Sequence, residues 1–319
     1  MIIKTENKIT QTVPERPISI LSKIRWGDLT PYLFISPWII GFLCFTFGPL
    51  IFSLIISFFD WPTVGTPTFI GFKNYVDMFT NDPVFWQSLG VTFKFAAILV
   101  PLNIGIALLL AILLNQKVKW LSGYRTIFYL PTVVSGVALS MIWSWMYDGE
   151  YGLLNYLLSL IGINGPNWLN DPTWSLFAIV FAGIWGQGTM MLIFLAGLKN
   201  IPKDLYEAAD IDGASKWYKF SKITLPMLSP TILFNVITAI ISAFQQLTLA
   251  LVLTGGGPLR KTYFYAMYVY ENAFKYFKMG YASANAWFMF LIILALTLLV
   301  FKSSNTWVYY ENEMKKKQK

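Results

Sequence analysis

Six apolar stretches, at residues 32–59, 95–114, 126–147, 174–198, 228–254 and 281–301, contain no Asp, Glu, Lys or Arg. A helix needs about 20 such residues to cross the hydrocarbon core of a bilayer, and each stretch supplies that length. A soluble core built from helices would carry charged faces interleaved every few residues. Here the charges fall only between the stretches. The pattern predicts an all-α integral membrane protein with six transmembrane helices. A membrane domain over residues 32–301 would be flanked by a tail at 1–31 and a basic tail at 302–319.

Composition narrows the chemistry. Of the 319 residues 56% are hydrophobic and 13% charged, against about 25% charged in a soluble domain. A disordered chain, a coiled coil and an ordinary cytosolic enzyme are excluded on that ground. Cys44 stands alone and there is no histidine. A disulfide framework, a thiolate metal cluster, a His-ligated metal and a Ser-His-Asp or Cys-His pair are therefore not available within the chain. No catalytic residue, resident cofactor or metal ligand is expected.

The net charge of +8 invites a nucleic-acid partner, but its distribution argues otherwise. Eighteen of the 24 Lys and Arg lie before the first span, between the second and third, between the fourth and fifth, and after the sixth. Positive charge stays on the cytoplasmic side of a membrane, so both termini are expected in the cytoplasm. The first 31 residues, with Lys4, Lys8, Arg16, Lys23 and Arg25, lack the short apolar core of a signal peptide. The first span would serve as an uncleaved insertion signal.

Within the spans the polar residues are neutral. Ion-coupled carriers often rely on an intramembrane carboxylate, and none is present, which argues against such a carrier or a channel. Trp185, Gln187 and Thr189 fall in the fourth stretch, and Ser242, Gln245 and Gln246 in the fifth. Amides and hydroxyls beside aromatic rings suit a neutral polyhydroxylated ligand, so these six are candidates for a substrate pathway. Asn103, Asn235, Ser283 and Asn285 are similar in kind, and all of these types also bond helix to helix in membrane bundles. Pro37, Pro49, Pro101, Pro131 and Pro230 are expected to kink the spans. The stretch at 255–262 resembles a phosphate-binding loop, but Arg260 replaces its second glycine, and nucleotide binding is not expected there.

The segment at 200–226, between the fourth and fifth spans, reads as two short amphipathic helices. Pro202 suits a first helical turn, and Asp204 and Glu207 favour that end's dipole. Gly213 ends or bends the helix. A second helix at 214–223 would expose Trp217 and Phe220 among Lys216, Lys219 and Lys222. Periodicity alone leaves open whether these helices dock on another protein or rest on lipid headgroups.

Glu207-Ala208-Ala209, then Gly213 after three residues, then after nine more Ile223-Thr224-Leu225-Pro226, resembles the EAA loop of ABC importer permeases. The likeness extends to the maltose-type sugar permease family. Phe69-Ile-Gly-Phe-Lys-Asn-Tyr75 resembles its first outer loop, Gly152-Leu-Leu-Asn155 its second, and Leu253-Thr-Gly-Gly-Gly-Pro258 the stretch after its fifth span. The resemblance covers roughly residues 30–305. It implies a six-span pore subunit of a sugar or oligosaccharide importer in a prokaryotic plasma membrane. A second related permease, an ABC ATPase dimer holding ATP and magnesium, and an extracellular binding protein would be its partners, with membrane lipid around it. Glu207, Ala208, Ala209, Asp210, Gly213, Trp217, Leu225 and Pro226 would form the ATPase-docking surface, and Glu207 would couple rather than catalyse. Similar permeases carry glycerol-3-phosphate, which remains the alternative substrate.

One loop breaks the charge rule. The segment after the fifth span holds Arg260, Lys261, Lys275 and Lys278 against Glu271 alone. Such cations can snorkel to headgroups. Alternatively, Arg260 and Lys261 present a contact that steers an acidic binding protein. The aromatic-rich run at 262–277 is then expected to lie along the membrane surface.

Overall fold

The structure, a computed structural model, describes residues 26–62, 65–116 and 119–309. Of the expected tails at 1–31 and 302–319, residues 1–25 and 310–319 lie outside the described residues. The chain divides into two units, residues 1–52 and 53–319.

In the first unit, α1 (Trp26–Phe42) passes through a π-turn (Leu43–Phe47) into α2 (Gly48–Ile56), which runs on into the second. Pro49 follows two residues after that π-turn. A proline ring clashes with the carbonyl four residues back, and a widened turn at that carbonyl relieves the clash. The same device recurs later in the chain.

The second unit continues with an antiparallel pair, β1 (Phe59–Asp60) and β2 (Thr68–Phe69), and with α3 (Lys73–Thr80). The 32-residue α4 (Pro83–Leu114) follows, and at about 1.5 Å per residue it outreaches the hydrocarbon core. Its start is set by Asp82, whose side chain accepts from the N–H groups of Val84 and Phe85, with Pro83 at the first position.

The third apolar stretch, read as a single span from 126 to 147, is broken. α5 (Leu121–Tyr129) runs into a 3-10 turn (Leu130–Thr132), and α6 (Gly136–Met146) leaves at 97° to it. Pro131 lies in the 3-10 turn, and the Ser135 hydroxyl caps α6 by accepting from Ala138 N–H at 3.3 Å. After α7 (Leu153–Ser159), the fourth stretch is also bent. α8 (Ser175–Trp185) meets α9 (Gly188–Lys199) at 49° across Gly186–Gln187.

α10 (Lys203–Ile211) and α11 (Lys216–Lys219) form the loop helices. The second of these is not a separate helix at 214–223. α11 enters a π-turn (Phe220–Thr224) two residues ahead of Pro226 and continues into α12 (Leu225–Phe244). After a break at 245–247 come α13 (Thr248–Leu253), α14 (Tyr265–Phe274) and the long α15 (Met279–Trp307). Among the described residues four helical runs are long and apolar enough to cross a membrane, and with each of the two bent pairs taken as one span the number is six.

α4 is the axis of the second unit, and three clusters pack along it. Phe85 and Leu89 pack with Met78, Tyr265 and Tyr268 at one end. Phe95 and Leu99 pack with Trp143, Ile179 and Phe244 in the middle. Ala107, Ala111 and Leu114 pack with Phe194, Leu198 and Leu228 at the end that carries α10 and α11. That end is called the docking end below, and the other the distal end. Alanines on α4 let neighbouring backbones approach closely, as membrane helix pairs require.

The aromatic run at 262–277 is exposed only in its second half. Tyr263, Phe264, Tyr265 and Tyr268 are buried, and α14 packs on α4 and α15. The hydroxyl of Tyr265 donates to the Asn285 carbonyl and side-chain oxygens at 3.0 Å. Polar partners on α15 therefore draw these rings inward, and only Tyr270, Phe274, Tyr276 and Phe277 stay exposed.

Candidate functional site

The docking segment is built from its caps. Pro202 precedes α10 in an extended conformation, and Asp204 sits in the first turn. At the other end Gly213 takes φ +72°, the left-handed region that a Cβ disfavours. Gly213 N–H donates to Asp210 O at 3.1 Å and Ala214 N–H to Ala209 O at 2.9 Å. These two bonds are the paired closure of a Schellman cap. Ser215 then caps α11, its hydroxyl accepting from Tyr218 N–H at 3.2 Å.

Two side-chain links hold the segment to the span. Lys219 Nζ donates to Asp210 Oδ1, joining α11 to α10. The hydroxyls of Tyr206 and Thr224 bond at 2.9 Å, joining α10 to the π-turn below α12. With these in place, Glu207, Ala208, Asp210, Gly213 and Trp217 are exposed while Ala209 is buried. Leu225 and Pro226 are half-buried and open α12, so they shape the span's entry and lie away from the exposed face. Ile211 is 87% exposed and Trp217 73%. Ile211 was not among the residues read from the sequence; its signal is an aliphatic side chain set between Asp210 and Asp212.

The six pathway candidates fall at or near interruptions of helices. Trp185 ends α8, half-exposed and edge-on to Trp143 at 5.6 Å. Gln187 occupies the bend between α8 and α9 and donates to Gly183 O at 3.0 Å, with exposed Thr189 following in the first turn of α9. Gln245 and Gln246 occupy the break between α12 and α13, with Ser242 exposed one turn earlier.

Packing brings these breaks together. A Cβ on Gly136 would touch the Thr248 side chain at 3.5 Å, so the start of α6 lies on α13. One on Gly183 would reach Leu249 at 4.0 Å, and one on Gly188 would meet Phe128 O and Tyr129 Cα at 2.6 and 2.7 Å. Spans three, four and five are thus all interrupted where they meet. Broken membrane helices expose backbone groups that must be satisfied, and they are tolerated where they line protein or a cavity. The break in span three was not read from the sequence beyond the kink expected at Pro131.

Other polar span residues are internal. Asn285 is fully buried and donates to Tyr281 O at 2.8 Å. Asn103 and Asn235 are buried as well. These three act within the bundle rather than on an exposed wall.

At the distal end Arg260 and Lys261 are both exposed. The Arg260 guanidinium sits 5.9 Å over the Tyr263 ring. Tyr263 donates to Glu271 at 2.5 Å, and Lys275 donates to the other Glu271 oxygen at 2.9 Å. Burial, then Glu271, pushes the Tyr263 hydroxyl well above its ordinary pKa. The bond to Glu271 raises that of Lys275. In the 255–262 loop the Thr262 hydroxyl is buried against Gly257 O at 2.6 Å. Among the described residues no cluster of Cys, Asp and Glu is arranged to hold a metal ion.

Residues 104–310, which include the docking segment, match the family of binding-protein-dependent transport system inner membrane components. The chain belongs to that family. Among its relatives this inner membrane component is 46% identical to the probable ABC transporter permease protein YesP of Bacillus subtilis (strain 168), over 91% of this chain and 95% of YesP. It is 34% identical to the trehalose/maltose transport system permease protein MalF of Thermococcus litoralis, over 89% of this chain and 97% of that one. A crystal structure of a bacterial alginate ABC transporter, in complex with an alginate pentasaccharide-bound periplasmic protein, contains a similarly folded chain. The TM-score is 0.77 at 24% identity, over 88% of this chain and 96% of that one. The protein is a multi-pass membrane protein of the permease type.

Proposed function

We propose that this chain is the pore-forming permease subunit of an ATP-driven importer that carries a sugar or oligosaccharide across a prokaryotic plasma membrane. The docking segment carries this reading. Glu207 and Trp217 stand exposed on a capped helix pair; α11 runs without a gap, through a π-turn, into span five, which then breaks at Gln245, and α10 is tied to that path by Lys219–Asp210 and Tyr206–Thr224. Force applied at α11 therefore reaches the polar break along one continuous helical path, and α10 joins it through those two side-chain links. ATP and magnesium belong to a partner ATPase dimer seated on α10 and α11. A related permease completes the pore, and an extracellular binding protein delivers substrate at the distal end, where Arg260 and Lys261 are exposed.

The names of relatives support the substrate class, because trehalose/maltose transport is assigned to a protein 34% identical to this one. The charge-free spans point the same way, since a phosphate ester calls for Arg or Lys along its route. The test is reconstitution of the chain with its partner permease, ATPase and binding protein in vesicles. ATP-dependent uptake of a radiolabelled neutral oligosaccharide is expected, with none of glycerol-3-phosphate. Uptake without ATP, driven by an ion gradient, would sink the proposal.

A further inference from the structure

Two clefts at the distal end follow one another along the seam between α4 and α8. The first, of about 450 Å³, is bordered by Trp86, Lys94, Thr173, Phe177, Arg260 and Lys261. Three cations line it and no carboxylate does. The second, of about 420 Å³, is walled by Leu102, Leu157, Trp174, Phe177, Phe181 and Ile184. Phe177 borders both, so the cationic cleft and the apolar one adjoin at its ring.

Depth follows from α4. Lys94 immediately precedes the charge-free run 95–114, which places its ammonium at headgroup level and the residues after it in hydrocarbon. Trp86, Gly90 and Lys94 recur every four residues along one side of α4, and Leu102 lies about 80° further round the helix from Lys94. Leu102 lies about 12 Å deeper than Lys94. The combination is a charged entrance at the interface above an apolar slot inside the membrane.

The cations are free to take a ligand. Among the described residues the ion pairs are Lys219 with Asp210 and Lys275 with Glu271, so none of the three is held by an acid. Arg260 also borders a neighbouring cleft that contains Asp82 and Glu271. Those carboxylates are already engaged, Glu271 by Tyr263 and Lys275, and Asp82 by Tyr268 and Tyr281. Snorkelling would explain a single lysine. It does not explain three cations from two distant chain segments around one cleft that adjoins an apolar slot.

We propose that this seam binds one anionic phospholipid of the outer leaflet, its phosphate on Lys94, Arg260 and Lys261 and an acyl chain along Phe177, Phe181 and Leu102. Charge complementarity selects the headgroup, and the apolar slot suits a chain and not a hydroxylated solute. Basic pockets between membrane helices hold anionic headgroups in this way.

The test uses the assembled transporter in nanodiscs made from equal parts phosphatidylglycerol and phosphatidylcholine, followed by native mass spectrometry. One retained phosphatidylglycerol is expected, and a photoactivatable phosphatidylglycerol should label the peptide containing Phe177. Lys94→Gln with Arg260→Gln and Lys261→Gln should lower the preference for phosphatidylglycerol about tenfold or more. Should the triple variant fail to assemble, Lys94→Gln alone should lower it about fivefold. Equal retention of the two lipids, or an unchanged preference in the variants, overturns the proposal. Retention of a soluble uronate oligosaccharide by the wild-type cleft in place of lipid would assign the cations to a soluble anion and overturn it as well.

Discussion

The Asp82 carboxylate accepts the Tyr268 hydroxyl at 2.6 Å, while the same oxygen accepts Tyr281 at 3.1 Å. Its other oxygen caps α4 through Val84 N–H at 2.9 Å and Phe85 N–H at 3.3 Å. One side chain thereby ties the start of span two to α14 and to the first turn of span six. Replacing it removes a helix cap and leaves the Tyr268 and Tyr281 hydroxyls, 2.9 Å apart, only each other to bond, so one donor loses its acceptor. Asp82→Ala should cost about 2–4 kcal/mol, from a cap worth about 1 and from one orphaned donor. Thermal unfolding of the purified protein measures it. A midpoint within error of the parent would show that the three elements are held by packing alone.

Alkaline pH should weaken the same end. Burial, then the bond to Asp82, raises the pKa of Tyr268, and burial with Glu271 raises that of Tyr263. The folded state keeps both protons where the unfolded chain loses them, so folding binds more protons above the ordinary value of 10.0. Stability is full below that value and falls as pH rises beyond it, towards the raised folded values. Tyr268→Phe should flatten the decline, because it deletes one of the titrating groups. Parallel pH profiles for parent and variant would remove Tyr268 from the account.

At Gly213 the backbone, not the available space, sets the requirement. A Cβ there would meet nothing within 4 Å, yet φ is +72°. Gly213→Ala should therefore cost about 1–2 kcal/mol locally, and Gly213→Asn less. Gly213→Pro cannot reach a positive φ and also deletes the N–H bonded to Asp210 O. The expected order of substrate-stimulated ATPase activity is parent, Asn, Ala, then Pro, with Pro uncoupled. Full stimulation in the Pro variant would detach the cap from coupling.

Gly188 is the opposite case. Its added Cβ would fall 2.6 Å from Phe128 O and 2.7 Å from Tyr129 Cα, both backbone atoms that cannot swing aside. Gly188→Ala should push α9 off α5 and cost about 1–3 kcal/mol, lowering the yield of folded protein. Gly90→Ala, in open space on α4, serves as the neutral control. Equal yields for the two variants would contradict the close approach.

Replacing Gln245 and Gln246 by Leu tests the polar break. The helix remains apolar enough to insert, but two amides disappear from the interruption of span five. Uptake should fall while membrane level and docking hold. Unchanged uptake would return both residues to a role within the bundle.

Much of this protein was legible in one dimension. A run of 20 or more residues without charge means a membrane span whatever surrounds it, because the bilayer acts on each helix separately. The spacing from Glu207 through Gly213 to Pro226 marked where one helix ends and the next run begins, because a left-handed cap and a proline are local backbone events. Helix continuity is different. The third and fourth stretches are as apolar as the others, yet they break at Pro131–Ser135 and Gly186–Gln187, where α13, α6 and α5 lie close enough to support the interruption. Hydropathy records burial in hydrocarbon and is silent on which backbone carbonyls find partners. Likewise the first half of the aromatic run at 262–277 turns inward, where Asp82, far away in sequence, and Asn285 on the next helix supply acceptors for its hydroxyls. The meeting of Lys94 with Arg260 and Lys261 over Phe177 has no signature along the chain at all. Charge and apolarity are properties of single residues, whereas convergence depends on how α4, α8 and the 255–262 loop pack, and tertiary structure alone decides that.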